Sequence, residues 1–236
     1  MPSAKHLELC DRQANRPENK FTCVLLGADD AYLAQAAESF AGTWFDVRHS
    51  SRYGRREKKL TPDAYAATGS GAVDFLFSFL CPVIIPEPLL RAARIAPINF
   101  HPAPPRYPGV GSASYAIYQE DAAFGVTAHV MAPVVDSGMI IRTLEFPISQ
   151  GDTCETLFNR AKNYSLFLFY EVLAELAGTG KVVGSGEKWL GKAITRKDFE
   201  KWMTVSPEDP AKEIERKIRA LRHSRFFAPY VKYACK

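Results

Sequence analysis

The feature that most constrains the fold is a pair of apolar runs joined by a short amphipathic stretch. The first run, Phe75–Leu80, is long enough for one buried strand, and the second ends in Ile98-Asn99-Phe100-His101. Pro86 and Glu87 precede residues 88–96, whose pattern predicts a helix over that range. A strand, a helix and another strand form a parallel crossover unit. The chain is therefore predicted to adopt an α/β fold with a mostly parallel sheet.

Two polar side chains lie where the second of these strands ends. Asn99 and His101 are two residues apart, so in an extended chain their side chains point to the same face. Ligands of parallel sheets bind beyond the carboxyl ends of the strands, where this pair would lie. Four prolines within the next seven residues stop both strand and helix and stiffen the exit loop. The pattern by itself is equally compatible with a proline-rich turn beside a core histidine.

Three separate motifs resemble the signature of the folate-dependent formyltransferases. The first is Asn-x-His-Pro at residues 99–102, followed by Pro-x-Tyr-x-Gly at 105–109. The second is Asp136 within the segment 133–138, and the third is the run Asp74–Pro86. The resemblance covers about residues 21 to 180. It implies a Rossmann-like formyltransferase core in which Asn99, His101 and Asp136 are catalytic and 10-formyltetrahydrofolate is the co-substrate.

The residue types suit the chemistry that this resemblance implies. An amine attacks the formyl carbon through a tetrahedral intermediate that carries an oxyanion. Asn99 can donate amide hydrogens to that oxygen without titrating, and His101 can hydrogen-bond it or carry a proton. Asp136 would orient the histidine or relay a proton through water. No metal ion is needed, because the formyl carbonyl is already activated.

The resemblance also implies a slot for the folate between two apolar loops. One contains Pro82, Val83, Ile84 and Ile85, and the other contains Pro133, Val134 and Val135. Small and branched apolar side chains suit a flat slot whose backbone groups hold the ring edges. Without the resemblance, the same residues are equally typical of strand ends that pack in the core.

The acceptor substrate is predicted from the residues of the central motif. Ala103-Pro104-Pro105-Arg106-Tyr107-Pro108-Gly109 resembles the sugar N-formyltransferases, whose substrates are nucleotide-linked amino deoxysugars such as those of surface polysaccharides. The methionyl-tRNA enzymes usually read Ser-Leu-Leu-Pro and Tyr-Arg-Gly there, and they carry a C-terminal barrel. Tyr107 and Arg106 are expected to contact the sugar substrate. The alternatives are a methionyl-tRNA or glycinamide ribonucleotide formyltransferase, or a non-catalytic folate or nucleotide binder.

Composition sets the remaining expectations. Five cysteines without Cys-x-x-Cys spacing suggest reduced thiols in a cytoplasmic protein, and no stretch approaches the ~18 apolar residues of a membrane span. We expect an N-terminal tail at 1–20, the catalytic core at 21–180, and a small C-terminal α+β extension at 181–236. The expected partners are the nucleotide-linked amino sugar and folate, without nucleic acid or membrane, in a homodimer.

Several local predictions complete the description. A second strand is expected at Thr43–Val47, and a short hairpin is expected to pair residues 182–183 with 189–190. His129 lies in a predicted strand and is expected to be a packed structural residue. Two basic clusters, at 52–59 and 211–225, each carry a local charge of +4. They are interpreted as solvated surfaces or as phosphate contacts of the acceptor.

Overall fold

The computed structural model describes residues 20–69, 73–223 and 230–231. Six strands form the main sheet, and they are β1 (Thr22–Ala28), β2 (Asp46–Tyr53), β3 (Phe75–Phe79), β4 (Ala96–His101), β5 (Ala123–Val130) and β6 (Ile140–Pro147). Their order in the sheet is β2-β1-β3-β4-β5-β6. The first four strands are parallel, and β5 runs antiparallel to both of its neighbours. This confirms the predicted α/β fold with a mostly parallel sheet.

Helices lie between these strands and after them. They are α1 (Ala31–Trp44), α2 (Pro62–Gly69), α3 (Glu87–Leu90), α4 (Ser112–Gln119), α5 (Cys154–Thr179), α6 (Arg196–Trp202) and α7 (Ala211–Leu221). The long helix α5 begins at a capping box between Thr153 and Thr156 and ends at Gly180, which has a left-handed conformation. Within the part of the chain that the structure describes, no helix is both long and apolar enough to cross a membrane.

The core is organised around β3, all five residues of which are buried. On one face Phe75 and Phe77 stack at 5.5 Å between ring centroids, and Phe169 of α5 packs edge-on against Phe77. On the other face Leu76 joins a second cluster with Val24. Full burial of each such side chain contributes about 1.5–3 kcal/mol. Helices on both faces of a central buried strand make this a three-layer fold.

Two elements differ in extent from the prediction. The predicted strand at Thr43–Val47 is wrong at its start, because α1 continues through Trp44, whose ring packs near Phe40 of the same helix. The strand β2 begins at Asp46 and runs to Tyr53. Its residues are mostly polar and alternate between exposed and half-buried positions at the sheet edge, so they form no apolar run that would reveal the strand.

The predicted helix over residues 88–96 is also wrong in extent. The helix α3 is four residues long and ends at Leu90. A turn follows, in which the backbone N–H of Arg94 donates to Val73 O and its side chain donates to Asp74. These bonds lead the chain directly into β4, so the crossover needs only one helical turn.

The C-terminal residues pack against the core as a small α+β unit. A two-stranded parallel sheet pairs β7 (Thr204–Val205) with β8 (Tyr230–Val231). Phe199 and Trp202 of α6 contact Tyr115 of α4, and Ala220 of α7 belongs to the main core cluster. Of the predicted N-terminal tail at 1–20, residues 1–19 lie outside the described residues, as do residues 224–229 and 232–236 of the C-terminal extension.

Candidate active site

The two polar residues at the end of β4 face a common cluster. Asn99 is half-buried and directly opposite His129 in the β4–β5 pairing. His101, the last residue of β4, is 7% exposed. Its Nε2 lies 3.1 Å from the backbone oxygen of Tyr107. Because a carbonyl oxygen only accepts hydrogen bonds, Nε2 is the donor in that contact.

Asp136 reaches the same cluster from the loop between β5 and β6. Its Oδ2 lies 3.4 Å from Nδ1 of His101 and accepts a 2.8 Å hydrogen bond from the backbone N–H of Gly109. The residue has a positive φ of 45°, an uncommon conformation that aspartate tolerates better than most residues. A Cβ on Gly138 would lie 1.9 Å from the backbone oxygen of Val130, so only glycine lets the loop fold back this closely. The structure therefore brings together Asn99, His101 and Asp136.

The electrostatics of the pair follow from burial and from neighbouring groups. Burial alone would raise the pKa of Asp136, but His101, His129 and the Gly109 N–H together hold it at about 2. Burial lowers the pKa of His101 from its ordinary value, while the Asp136 carboxylate and the Tyr107 carbonyl oppose that shift. A proton on His101 would find an acceptor at each ring nitrogen. The pair can thus hold one proton beside an ionised carboxylate.

His129 is a member of this cluster that the sequence did not identify as functional. The ring is 2% exposed, and its Nε2 lies 3.1 Å from Nδ2 of Asn99 and 3.3 Å from Oδ1 of Asp136. The pairing register of β5 with β6 shifts between Ala128 and His129. Irregularities of this kind re-aim side chains next to functional sites. A prediction of the β4–β5 register could have identified His129, because that register places it opposite Asn99.

A segment after α5, residues 184–195, runs across the site loops and was also missed. We call it the strap. The backbone N–H groups of Leu190 and Ile194 donate to the oxygens of Pro105 and Pro108. Trp189 donates from Nε1 to the backbone oxygen of Gly138, and its ring stands edge-on to both histidines of the cluster. The predicted hairpin at 182–190 is therefore wrong, because these backbone groups pair with the site loops instead.

The two predicted folate loops present both buried and exposed side chains. Val83 and Ile85 are buried, and Met131, at the start of the second loop, packs against the cluster that contains them. The side chains of Ile84 and Val134 are 73% and 64% exposed. Pro82, Pro133 and Val135 are exposed as well. The loops thus share a buried base and offer an open apolar surface above it.

The residues predicted to contact the acceptor have different surroundings. Tyr107 is 7% exposed, packs near Phe124, and donates its hydroxyl hydrogen to Asp121. Burial and this carboxylate raise the pKa of Tyr107. The packing argues against Tyr107 as a wall of the acceptor pocket, because its ring and hydroxyl anchor the proline-rich loop from below. Arg106 is exposed, with its guanidinium 3.2 Å from Asp121.

The two basic clusters also differ from each other. In the first, Arg52 pairs with Glu38, while Arg55, Arg56, Lys58 and Lys59 are exposed. In the second, Arg216 donates to the backbone oxygen of Tyr118 and lies over its ring, and Lys217 donates to Thr204 O. Arg216 and Lys217 thus attach α7 to its surroundings, whereas Lys212, Arg219 and Arg222 are exposed. Across the described ranges, no His, Cys, Asp and Glu side chains form a group of three suited to hold a metal ion.

Comparison with protein families and curated relatives identifies similar chains. A family model described as "Formyl transferase" matches residues 3–173. The methionyl-tRNA formyltransferase of Rhizorhabdus wittichii is 31% identical over 164 residues, which are 67% of this chain and 50% of that protein. The chain spans about half the length of the curated relatives that it matches.

Solved structures share the fold over most of the chain. A sugar N-formyltransferase from Shewanella sp. FDAARGOS_354 superposes with a TM-score of 0.71 at 20% identity, covering 90% of this chain and 93% of that one. An N-formyltransferase from Helicobacter canadensis, in complex with folinic acid and dTDP-3-aminofucose, superposes with a TM-score of 0.63 at 18% identity. That match covers 85% of this chain and 80% of the other. At these identities the likeness establishes the fold.

Proposed function

Because the chain belongs to the formyl transferase family, we propose that it transfers a formyl group from 10-formyltetrahydrofolate to the amine of a nucleotide-linked amino deoxysugar. The observation that carries the chemistry is the convergence of Asn99, His101 and Asp136 at the carboxyl end of β4. An amide donor, an imidazole and a buried carboxylate lie within hydrogen-bonding reach of one another, through His129 or directly. These groups suit a reaction in which an oxyanion must be stabilised and a proton must be transferred.

In the proposed mechanism Asn99 stabilises the developing oxyanion. The acceptor nitrogen forms a bond to the formyl carbon, and the carbonyl oxygen becomes an oxyanion that the Asn99 side chain can contact as a neutral donor. Half-burial of Asn99 leaves it accessible to a bound formyl group while limiting competition from water. The amide does not titrate, so this stabilisation is independent of pH.

The proton follows a path through the His101–Asp136 pair. His101 takes one proton from the attacking amine, and the charged ring is stabilised by Asp136 at Nδ1 and by the Tyr107 carbonyl at Nε2. When the bond between the formyl carbon and the folate nitrogen breaks, His101 gives that proton to the leaving nitrogen. The overall reaction moves one formyl group and one proton in opposite directions, so no net proton is gained or lost.

The folate is proposed to occupy the slot between residues 82–85 and 132–136. The supporting observation is the open apolar surface of Ile84, Val134 and Val135 above a shared buried base. Exposed apolar side chains in two neighbouring loops are expected where a flat ring system binds. Backbone groups of these loops would hydrogen-bond the ring edges.

The two sets of relatives point to different acceptors, a sugar amine or an aminoacyl-tRNA. A solved sugar N-formyltransferase and a solved methionyl-tRNA formyltransferase each match 90% of the chain in fold, and the curated sequence relatives are methionyl-tRNA formyltransferases matched over about half their length. The sugar is preferred because the central motif resembles that of the sugar enzymes. Two cations of the second basic cluster, Arg216 and Lys217, are engaged in packing, and binding tRNA requires a wide basic surface with many phosphate contacts.

A competition assay tests the proposal. The protein is incubated with 10-formyltetrahydrofolate and either a panel of nucleotide-linked amino sugars or charged initiator tRNA, at the same salt concentration. Formylation of at least one sugar and not of the tRNA is expected. Formylation of the tRNA alone would overturn the sugar assignment and leave the chemistry standing. Failure of every acceptor, with folate still bound, would favour the non-catalytic folate binder.

A further inference from the structure

The proposed mechanism leaves one buried titratable side chain of the cluster without a role. His129 makes three polar contacts in a site that excludes water from 98% of its surface. Its Nδ1 lies 3.0 Å from the backbone oxygen of Val130, and its Nε2 lies 3.1 Å from Nδ2 of Asn99. The same Nε2 is 3.3 Å from Oδ1 of Asp136. Every polar atom of the ring is thus engaged.

The contact with Val130 decides which nitrogen carries the hydrogen. A carbonyl oxygen accepts and never donates, so Nδ1 must bear a hydrogen. In the neutral ring Nε2 is then a bare acceptor. The Asn99 side chain can donate a hydrogen bond to this acceptor only from its NH2 group. The Val130 carbonyl therefore sets the direction of the Asn99 amide, by way of the imidazole between them.

We propose that His129 is a positioning residue that orients the Asn99 amide for formyl transfer. As the Nδ1–H tautomer it engages one hydrogen of the Asn99 NH2 group and leaves the second hydrogen for the oxyanion. The inference rests on the proposed function of Asn99 as the oxyanion donor. It assigns to His129 no contact with the substrate.

The packing around the ring maintains this arrangement. Trp189 of the strap stands perpendicular to the His129 ring, with centroids 5.0 Å apart. The cross-strand pairing of Asn99 with His129 places both on neighbouring strands of a rigid sheet. Groups held on strands rather than loops keep the geometry that transition-state stabilisation requires. Rotation of either side chain would break a hydrogen bond in a buried site and leave a polar group there without a partner.

The competing arrangement is a doubly protonated His129. Its Nε2–H would donate to Oδ1 of Asp136, and Asn99 would have to turn its amide oxygen toward the ring. The two arrangements orient the Asn99 amide in opposite directions. Because they differ in the number of hydrogens on the ring, they can be distinguished directly in solution.

The first test observes the ring nitrogens by NMR in protein labelled with 15N-histidine. Coupling of ring carbon-bound hydrogens to each nitrogen reports which nitrogen is protonated, and His129 is assigned by loss of its signals in His129→Gln. The expected result near neutral pH is a ring protonated at Nδ1 and bare at Nε2. A ring protonated at Nε2 alone, or at both nitrogens, would overturn the proposal.

The second test compares three variants in formyl transfer. His129→Phe keeps the ring volume but has no acceptor, His129→Gln supplies an amide oxygen as acceptor, and His49→Gln alters a half-buried strand histidine bonded to Ser51 as a control. We expect kcat to fall ~10–100-fold in His129→Phe. Recovery of most of that loss is expected in His129→Gln, with KM for the formyl-folate within about twofold of wild type throughout.

A purely structural histidine would give a different pattern. Equal losses in the Phe and Gln variants, or a change in KM with kcat retained, would contradict the proposal. The NMR measurement needs no acceptor, so it decides the tautomer even if no amino sugar is turned over. In that case the proposed function fails while the tautomer assignment is tested independently. If His129→Phe does not fold, the tautomer measured in the wild-type protein and the kcat of His129→Gln still test the positioning role of His129.

Discussion

At the scale of single residues, the site depends on keeping a carboxylate charged although it is nearly buried. Asp136 remains ionised because the backbone N–H of Gly109 donates to one of its oxygens and the imidazole of His101 lies beside it. For the adjacent imidazole of His101 the balance is opposite: burial lowers its pKa by more than the Asp136 carboxylate raises it. A base that is mostly unprotonated near neutral pH is the form that can take a proton from an attacking amine.

Asn99 provides the sharpest test of the oxyanion role. We expect Asn99→Ala to lower kcat by ~10²–10³-fold, because one preorganised donor to the oxyanion is lost. KM for the formyl-folate should change little, since the donor acts mainly in the transition state. Steady-state kinetics check this, with Asn163→Ala on the exposed face of α5 as the control. Wild-type kcat in Asn99→Ala would remove Asn99 from the mechanism.

The pH dependence of the reaction reports the state of His101. Its pKa is lowered from 6.5, so the acidic limb of kcat/KM should have its midpoint below pH 6.5. The Asp136 carboxylate raises the pKa of His101, and removing that charge in Asp136→Asn should move the midpoint to still lower pH. The profile is measured over pH 4.5 to 8.5 on the residual activity of each variant, about two units to either side of the ordinary histidine value. A midpoint above 6.5, or an upward shift in Asp136→Asn, would contradict His101 as the base.

At the scale of elements, the loop between β5 and β6 is held by a close backbone approach. Gly138→Ala would bring a methyl group to 1.9 Å from Val130 O, so the loop that carries Asp136 must move. We expect a loss of about 1–3 kcal/mol in the free energy of unfolding together with a fall in kcat. Denaturant unfolding and kinetics measure the two effects.

Gly178 is the matched control for that substitution. It lies in α5 with nothing within 4 Å of an added Cβ. Gly178→Ala should stabilise the protein by about 0.5–1 kcal/mol, because alanine costs less backbone entropy in a helix. Equal behaviour of the two glycine variants would show that the Gly138 loop accommodates a side chain.

At the scale of the whole molecule, the C-terminal unit is joined to the core by buried contacts. Tyr118 of α4 donates to Glu213 of α7 at 2.8 Å, and the Cys154 thiol donates to Arg222 O at 3.1 Å. Leu221 is fully buried in a cluster with Phe199 and Met203. The proposed boundary near residue 180 therefore separates two units of sequence that pack as one body.

Cooperative unfolding is the expected consequence. Calorimetry should give one transition whose calorimetric and van't Hoff enthalpies agree. Leu221→Ala should lower the free energy of unfolding by about 2–5 kcal/mol and keep a single transition. Ile218→Ala, at a position 47% exposed on the same helix, should change it by no more than about 0.5 kcal/mol. Two resolved transitions would identify residues 181–223 as an independent domain.

The sequence by itself determined those features that depend on local spacing. The apolar run of β3 and the position of Asn99 and His101 at the end of β4 are both as predicted. Burial of a strand is decided by neighbouring residues along the chain, so apolar periodicity carries this information. The family signature then identified Asp136, which no local pattern connects with β4.

Only the tertiary structure decided which distant groups meet. The strand register placed His129 opposite Asn99, and the strap brought the Trp189 ring edge-on to both histidines. The proline-rich loop buried Tyr107 instead of exposing it to a ligand. Hydrogen-bond partners from separate segments depend on how layers pack, and a single chain's periodicity does not encode that packing. For this reason the sequence predicted three residues of the candidate site, and only the fold showed that His129 and Trp189 lie beside them.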